Sequence, residues 1–103
     1  MKYGLNEETI EALQRVFRKH NKIERAIIYG SRALGTHKTG SDIDLTLVAP
    51  GYTMRDLLSI ENELDDLLLP YQLDLSLYHH IDNPDLLSHI ARIGLTFYSR
   101  DYT

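Results

Sequence analysis

Two groups of residues in the first half of the chain could carry out chemistry together. A glycine–serine pair, Gly30-Ser31, follows one apolar segment, and two carboxylates spaced two apart, Asp42 and Asp44, begin another. Glycine lets the backbone approach a phosphate closely, and serine adds a hydroxyl donor. Carboxylate oxygens are the ligands that Mg²⁺ and Mn²⁺ prefer in proteins. The combination predicts metal-assisted chemistry on a nucleoside triphosphate.

The two carboxylates are expected to project from one face of a strand. Apolar and polar side chains alternate from Asp42 to Val48, which is the pattern of a half-buried strand. Residues two apart on a strand share a face, so Asp42 and Asp44 leave it together. A shift of one residue in register would bury both carboxylates. Two like charges this close repel each other unless a cation lies between them.

A third carboxylate, Asp74, lies on the polar face of a later alternating segment, Tyr71 to Tyr78. If the two strands are neighbours, Asp74 completes a cluster with Asp42 and Asp44. Such a cluster can hold two metal ions roughly 3.5–4 Å apart, which act on the attacking and leaving oxygens of an in-line displacement. Asp74 could also accept the proton of an incoming hydroxyl. The three aspartates are therefore the predicted metal ligands and the predicted catalytic residues.

The residues around the glycine–serine pair predict the phosphate side of the site. Ser31 to Leu34 is expected to form a short helix that ends at Gly35, and its free N–H groups would face phosphate oxygens. Arg32 and Lys38 are both candidates to neutralise the leaving pyrophosphate, and the sequence leaves the choice open. The predicted nucleotide-binding residues are Gly30, Ser31, Arg32, Lys38 and Ser41.

Helices and strands alternate in the segments that must position these residues. The predicted elements are a helix from Asn6 to about His20, strands over 23–29 and 42–48, a helix from Thr53 to Pro70, a strand over 71–78, a helix from Asn83 to Gly94 and a strand over 95–98. This order predicts an α/β (α+β) fold.

Length and composition limit the class of protein. At 103 residues the chain is expected to be one domain, 1–103. The absence of cysteine excludes disulfides and thiolate metal sites. No apolar run approaches the roughly 18 residues of a membrane span and no signal peptide is visible, so a cytoplasmic protein without membrane contact is expected. The net charge of -4 argues against broad nucleic-acid binding.

The spacing of these motifs resembles that of a known superfamily. Gly30-Ser31, ten intervening residues and Asp42-Ile43-Asp44 are similar to the signature of the DNA polymerase β-like nucleotidyltransferases. The segment 41–45 and the later 73–75 look like its minimal nucleotidyltransferase (MNT) branch. The resemblance implies the nucleotidyltransferase fold, with a small mixed β-sheet and helices packed on one side. It also implies that Gly30 and Ser31 bind triphosphate and that the three aspartates bind magnesium. One departure is Leu34, where many relatives carry a second arginine.

The resemblance also implies a function and a partner. Many MNT proteins are antitoxins encoded beside a HEPN-type toxin, and some transfer AMP from ATP to a tyrosine of that toxin. The expected activity is therefore Mg²⁺-dependent AMP transfer, with ATP as substrate, Mn²⁺ as a substitute metal and a helical HEPN-type toxin as acceptor. Two alternatives are a non-catalytic module that neutralises a partner by binding alone, and a nucleotidyltransferase acting on a small molecule such as an aminoglycoside. The oligomeric state stays open.

Two weaker expectations concern the surface. Leu58 and Leu69 fall off the apolar stripe of the second long helix, which is formed by Leu57, Ile60, Leu64, Leu67 and Leu68. Together with the acidic residues of that helix, they suggest a contact surface for a partner. The five histidines show no metal-ligand spacing and are expected on surfaces, with His37 near the opening of the triphosphate site.

Overall fold

Helices and strands alternate along residues 2–101, which are the residues that the computed structural model describes. In chain order the elements are α1 (Glu7–Arg18), β1 (Arg25–Tyr29), α2 (Ser31–Leu34), β2 (Ile43–Val48), α3 (Met54–Asp65), β3 (Leu73–Leu77), a 3₁₀ turn (Tyr78–His80), α4 (Pro84–Ile93) and β4 (Leu95–Ser99). Within this range, no helix combines the length and the apolar content that crossing a bilayer requires. The ends of the predicted strands differ from the observed ones by at most two residues.

The four strands form one mixed sheet in the order β3-β2-β1-β4. β1 pairs antiparallel with both β2 and β4, while β3 joins the edge of β2 in a parallel pair. Parallel neighbours need a crossover connection, and α3 provides it. The small mixed sheet expected from the sequence is therefore confirmed, and so is the adjacency of the two carboxylate-bearing strands.

The sheet is covered on both faces. One face packs against α1 and α3 through a core that includes Leu13, Phe17, Leu45 and Ile60, all of them buried. On the other face, Ile90 of α4 packs against two residues of β1, Ile27 and Tyr29. The expectation of helices on one side thus holds for α1 and α3, whereas α4 lies on the opposite side. The cause is visible in β1, whose last four residues are all buried, because a strand that is apolar on both faces needs cover on both.

Side-chain caps begin the three long helices where the sequence predicts them. Asn6 accepts a hydrogen bond from the N–H of Thr9 at the start of α1. Thr53 and Asp56 form the predicted capping box of α3, with each side chain bonded to the other residue's backbone N–H. Asn83 caps α4 ahead of its N-terminal proline. These bonds satisfy N–H groups that a helix start otherwise leaves without partners.

The end of α3 differs from the prediction. The helix ends at Asp65 rather than at Pro70, and Leu68 adopts a positive φ of 55°. Leu68 is 88% exposed instead of lying in the apolar stripe, while Leu69 is partly buried against the core. Helical periodicity does not apply beyond the point where the backbone leaves the helix, so the two leucines exchange roles. Of the predicted contact surface, Leu58 remains exposed.

Candidate active site

The register of β2 and β3 brings two of the three predicted carboxylates together. Asp44 is paired with Asp74 across the parallel strands, and Asp42 lies just before β2. Neighbouring strands are about 4.8 Å apart, so the paired side chains share one face at close range. Asp44 is partly buried, whereas Asp42 and Asp74 are exposed. The arrangement predicted from alternation is therefore present for the Asp44–Asp74 pair.

Electrostatics at Asp44 reflect this crowding. Burial, then the charges of Asp74 and Asp42, raise the pKa of Asp44, while His89, when protonated, and Arg32 lower it in part. Among residues 2–101, however, no three acidic or histidine side chains stand close enough to hold a metal ion in their present rotamers. Neither exposed aspartate is fixed by packing. The donor set is all oxygen and mutually repulsive, which fits a hard divalent cation.

Gly30 joins the phosphate half of the site to the carboxylate half. Its backbone has φ 74° and ψ −155°, a conformation that favours glycine. A Cβ at this position would collide with the carboxylate of Asp44. Ser31 then begins α2, which ends at Gly35 in the left-handed conformation, as predicted. Within the described range, the Ser31 hydroxyl has no protein partner, so it is available to a ligand.

Arg32 and Lys38, the two basic candidates, have different surroundings in the structure. Arg32 is only 3% exposed, and its Nε and Nη2 donate to the carbonyl of Ser41 at 3.1 and 2.7 Å. Its Nη1 donates to the carbonyl of Tyr3 at 2.9 Å, and its guanidinium lies 5.1 Å from the ring centre of Tyr71. Arg32 therefore fastens α2 to the loop before β2, with its donors used by the protein. Lys38 is exposed and is the one of the two whose charge faces solvent.

Ser41 also shapes this loop. Its carbonyl accepts from Arg32, and its hydroxyl accepts from the N–H of Lys38 at 2.8 Å. Both oxygens are thus engaged in the turn that leads into Asp42. The placement makes Ser41 a residue that holds the loop in shape, and its predicted contact with nucleotide stays a prediction.

A hydroxyl network beneath the carboxylates was missed by the motif analysis. Ser76 donates to Thr46 at 2.9 Å, and the two residues are paired in the same register as Asp44 and Asp74. The phenol of Tyr29 also forms a hydrogen bond with Ser76. Burial raises the pKa of Tyr29, this hydrogen bond lowers it, and the charges of Asp74 and Asp44 raise it. Thr46 and Ser76 could have been found, because they fall on the same polar face of each alternating segment.

His89 is a further residue that sequence reasoning missed. It was expected on the surface, but it is partly buried on α4, and its Nε2 accepts the N–H of Gly30 at 3.1 Å. Its ring lies edge-on to that of Tyr29, with centroids 6.1 Å apart. No sequence spacing links α4 to the glycine–serine turn. His37, expected near the triphosphate, instead lies against Gly4 near the start of the chain.

Comparison with known families agrees with this geometry. Residues 11–103 match the family model described as "Polymerase beta, Nucleotidyltransferase". The chain belongs to the polymerase β nucleotidyltransferase family. The match spans both the glycine–serine turn and the carboxylate strands, and it confirms the resemblance found in the motifs. No curated protein sequence is significantly similar to this nucleotidyltransferase.

Solved structures share the fold of this nucleotidyltransferase at low sequence identity. A toxin–antitoxin structure with AMP-PNP has a TM-score of 0.69 and 22% identity, covering 94% of this chain and 76% of that one. A mutant of the toxin–antitoxin MntA-HpeT has a TM-score of 0.68 and 20% identity over the same shares of the two chains. That mutant carries glutamate in place of two aspartates spaced two apart. At this level of identity the likeness establishes the fold.

Asp44→Asn is expected to stabilise the metal-free nucleotidyltransferase at neutral pH. Burial and then the charges of Asp74 and Asp42 raise the pKa of Asp44 above its ordinary value of 3.8, so its ionisation costs stability in the folded chain. The favourable contribution of the protonated form is fully present below pH 3.8 and is lost as the pH rises through the raised folded value. Because the side chain is partly solvated, we expect a gain in Tm of roughly 1–3 °C.

Thermal unfolding in EDTA from acid to neutral pH measures this effect. Asp82→Asn, which makes the same charge change in an exposed loop, is the matched control. Equal Tm values for wild type and Asp44→Asn at every pH would contradict the assignment of repulsion to this cluster. Excess Mg²⁺ is expected to raise the Tm of the wild type more than that of the variant.

Arg32→Met and Lys38→Met are expected to separate structure from ligand binding. Arg32→Met removes both donors of the Ser41 carbonyl and one donor of the Tyr3 carbonyl, so it should lower the free energy of unfolding by roughly 2–3 kcal/mol. Lys38→Met removes an exposed charge and should change it by less than about 0.5 kcal/mol. Arg32→Lys keeps the charge but loses the forked geometry, so it should resemble Arg32→Met. Chemical denaturation measures all three; a neutral Arg32→Met would contradict the structural role.

Proposed function

We propose that this nucleotidyltransferase transfers AMP from ATP to a tyrosine hydroxyl of a HEPN-type helical toxin and thereby acts as an antitoxin. The observation that carries the proposal is the pairing of Asp44 with Asp74 directly beside the Gly30-Ser31 turn. Family membership supports nucleotidyl transfer. Two neighbours in fold are toxin–antitoxin structures, and one of them was solved with AMP-PNP.

The proposed metal ligands are Asp42, Asp44 and Asp74, which would hold Mg²⁺, or Mn²⁺ in its place. Their fit rests on the chemistry of the donors, because three carboxylates at one end of two paired strands offer oxygen ligands and an excess of negative charge. When bound, the metal would polarise the phosphate that is attacked and stabilise the charge of the leaving pyrophosphate. ATP is proposed as the substrate.

The residues of the chain have distinct proposed tasks in the transfer. Ser31 offers a free hydroxyl to the terminal phosphates, and Lys38 offers an exposed charge to the departing pyrophosphate. Asp74 accepts the proton as the acceptor oxygen bonds to the α-phosphorus and the bond from that phosphorus to pyrophosphate breaks. Asp74 is exposed and lies on the edge strand β3, so an acceptor can reach it from solvent.

The open position of Asp74 supports a macromolecular acceptor. β3 forms an edge of the sheet, so the side of the carboxylates away from β2 has no further strand in the described chain. A second protein that docks at this edge would bring a tyrosine to Asp74 and would exclude water from the site. A helical toxin subunit is the acceptor that we propose, in keeping with the two toxin–antitoxin neighbours.

One observation favours a second candidate, a module that neutralises its partner by binding alone. Among residues 2–101, no three histidine or acidic side chains form a group that could hold a metal ion. If the carboxylates never converge, the chain retains the fold and the docking edge without the chemistry. The two candidates differ in whether neutralisation of the partner needs the aspartates.

Transfer from α-labelled ATP to a purified HEPN-type toxin tests the proposal. We expect label on the toxin with Mg²⁺, none with EDTA, and none from γ-labelled ATP, because AMP rather than phosphate is transferred. Asp42→Asn/Asp44→Asn should lower the rate at least about 100-fold. Asp65→Asn/Asp66→Asn makes the same charge change on exposed positions of the α3 end and should keep the activity.

Two results would contradict the proposed AMP-transfer activity. Full neutralisation of the toxin by Asp42→Asn/Asp44→Asn would establish the binding module instead. Label from γ-labelled ATP would indicate phosphoryl transfer and exclude AMP as the transferred group. Isothermal titration of ATP with Mg²⁺ into the same variants separates loss of nucleotide binding from loss of the chemical step.

A further inference from the structure

A side chain from α4 reaches the glycine–serine turn from the far end of the sequence. Nε2 of His89 accepts the N–H of Gly30 at 3.1 Å, across 59 residues of chain. The ring of His89 packs edge-on against Tyr29, with 78° between the planes. The next residue, Ile90, anchors α4 by packing on Ile27 and Tyr29. The imidazole is therefore held in place by the packing of its helix.

Gly30 is contacted from two sides. Its Cα lies so close to Asp44 that an added methyl group would collide with the carboxylate. Its N–H points to the imidazole of His89. Glycine loses more conformational freedom on folding than any other residue, and it has no side chain that could select the φ of 74° observed here. The hydrogen bond to His89 is made in this conformation and satisfies an N–H at the end of a buried strand.

The bond fixes which groups remain available to a ligand. Because Nε2 of His89 accepts a hydrogen bond, the neutral ring must carry its proton on Nδ1. The N–H of Gly30 is used by the protein, so the donors left in the turn begin at Ser31, whose hydroxyl has no partner among residues 2–101. The orientation of Gly30 in turn sets where Ser31 lies relative to Asp44.

We propose that His89 is a positioning residue for the triphosphate: its imidazole holds the Gly30 N–H so that Ser31 faces the ligand at a fixed distance from Asp44. The proposal rests on the proposed nucleotide-binding function and adds a residue outside both sequence motifs. It assigns α4 a task in the site, because a helix on the opposite face from α1 and α3 delivers the acceptor atom.

Three substitutions test the role of the acceptor atom, and two of them, His89→Gln and His89→Met, match in length. The side-chain oxygen of His89→Gln lies as many bonds from Cα as Nε2 does, so this variant can keep the hydrogen bond. His89→Met has the same length without a comparable acceptor. His89→Asn carries an oxygen at the position of Nδ1, which is too short to reach Gly30. Titration of AMP-PNP with Mg²⁺ into each folded variant gives the dissociation constant.

We expect His89→Met and His89→Asn to weaken binding roughly three- to tenfold, which is the range of one hydrogen bond, and His89→Gln to stay within about twofold of wild type. Rescue by glutamine alone separates positioning from packing, because a purely structural role would follow side-chain volume. Equal affinities for all four proteins, or a His89→Gln variant as weak as His89→Met, would overturn the proposal.

A measurement on the wild type keeps the proposal testable if the variants fold poorly. Nitrogen-15 labelling should reveal a scalar coupling between the Gly30 amide nitrogen and Nε2 of His89, and imidazole shifts of the Nδ1-protonated form. Absence of the coupling would overturn the positioning role even if nucleotide binds. A wild-type protein that shows the coupling but binds no nucleotide would instead refute the proposed function, and with it the ligand side of this inference.

Discussion

The parallel pairing of β2 with β3 is the constraint on which the rest of the site depends. It places Asp44 beside Asp74 and Thr46 beside Ser76, so two polar pairs lie in succession on one face of the two strands. The opposite face of the same strands, including Leu45, is buried against α1 and α3. A slip of one residue would bury the carboxylates and expose the leucines, so the core fixes the register of the site. The sheet positions the carboxylates because the core permits only this alignment of β2 with β3.

Negative charge at the end of these strands destabilises the protein without a ligand, and neighbouring residues partly offset this repulsion. Asp44 has a raised pKa because it is partly buried beside two other carboxylates. Gly30 makes room for it, and Arg32 partly offsets its charge. Arg32 and His89 also hold, respectively, the loop before β2 and the glycine–serine turn. The same contacts that build the site therefore moderate its electrostatics, and the proposed cation would neutralise the repulsion that remains.

Sequence patterns predicted what depends on local periodicity. Alternation placed Asp44 and Asp74 on matching faces, and capping residues marked the helix starts. Contacts between distant segments could not be read in this way: the burial of Arg32 depends on carbonyls of Ser41 and Tyr3, and the bond from Gly30 to His89 spans 59 residues. The early end of α3 escaped prediction because periodicity says nothing about where the backbone turns. The cover of β1 by α4 was signalled by its uninterrupted apolar run.

The proposed function requires that the three aspartates at the ends of β2 and β3 converge on a divalent cation beside the glycine–serine turn. Paramagnetic broadening of amide resonances by substoichiometric Mn²⁺ in the presence of AMP-PNP tests it most directly. We expect the amide resonances of Asp42, Asp44 and Asp74 to broaden first and excess Mg²⁺ to restore them. Broadening confined to the acidic end of α3, or none at all with nucleotide present, would contradict it.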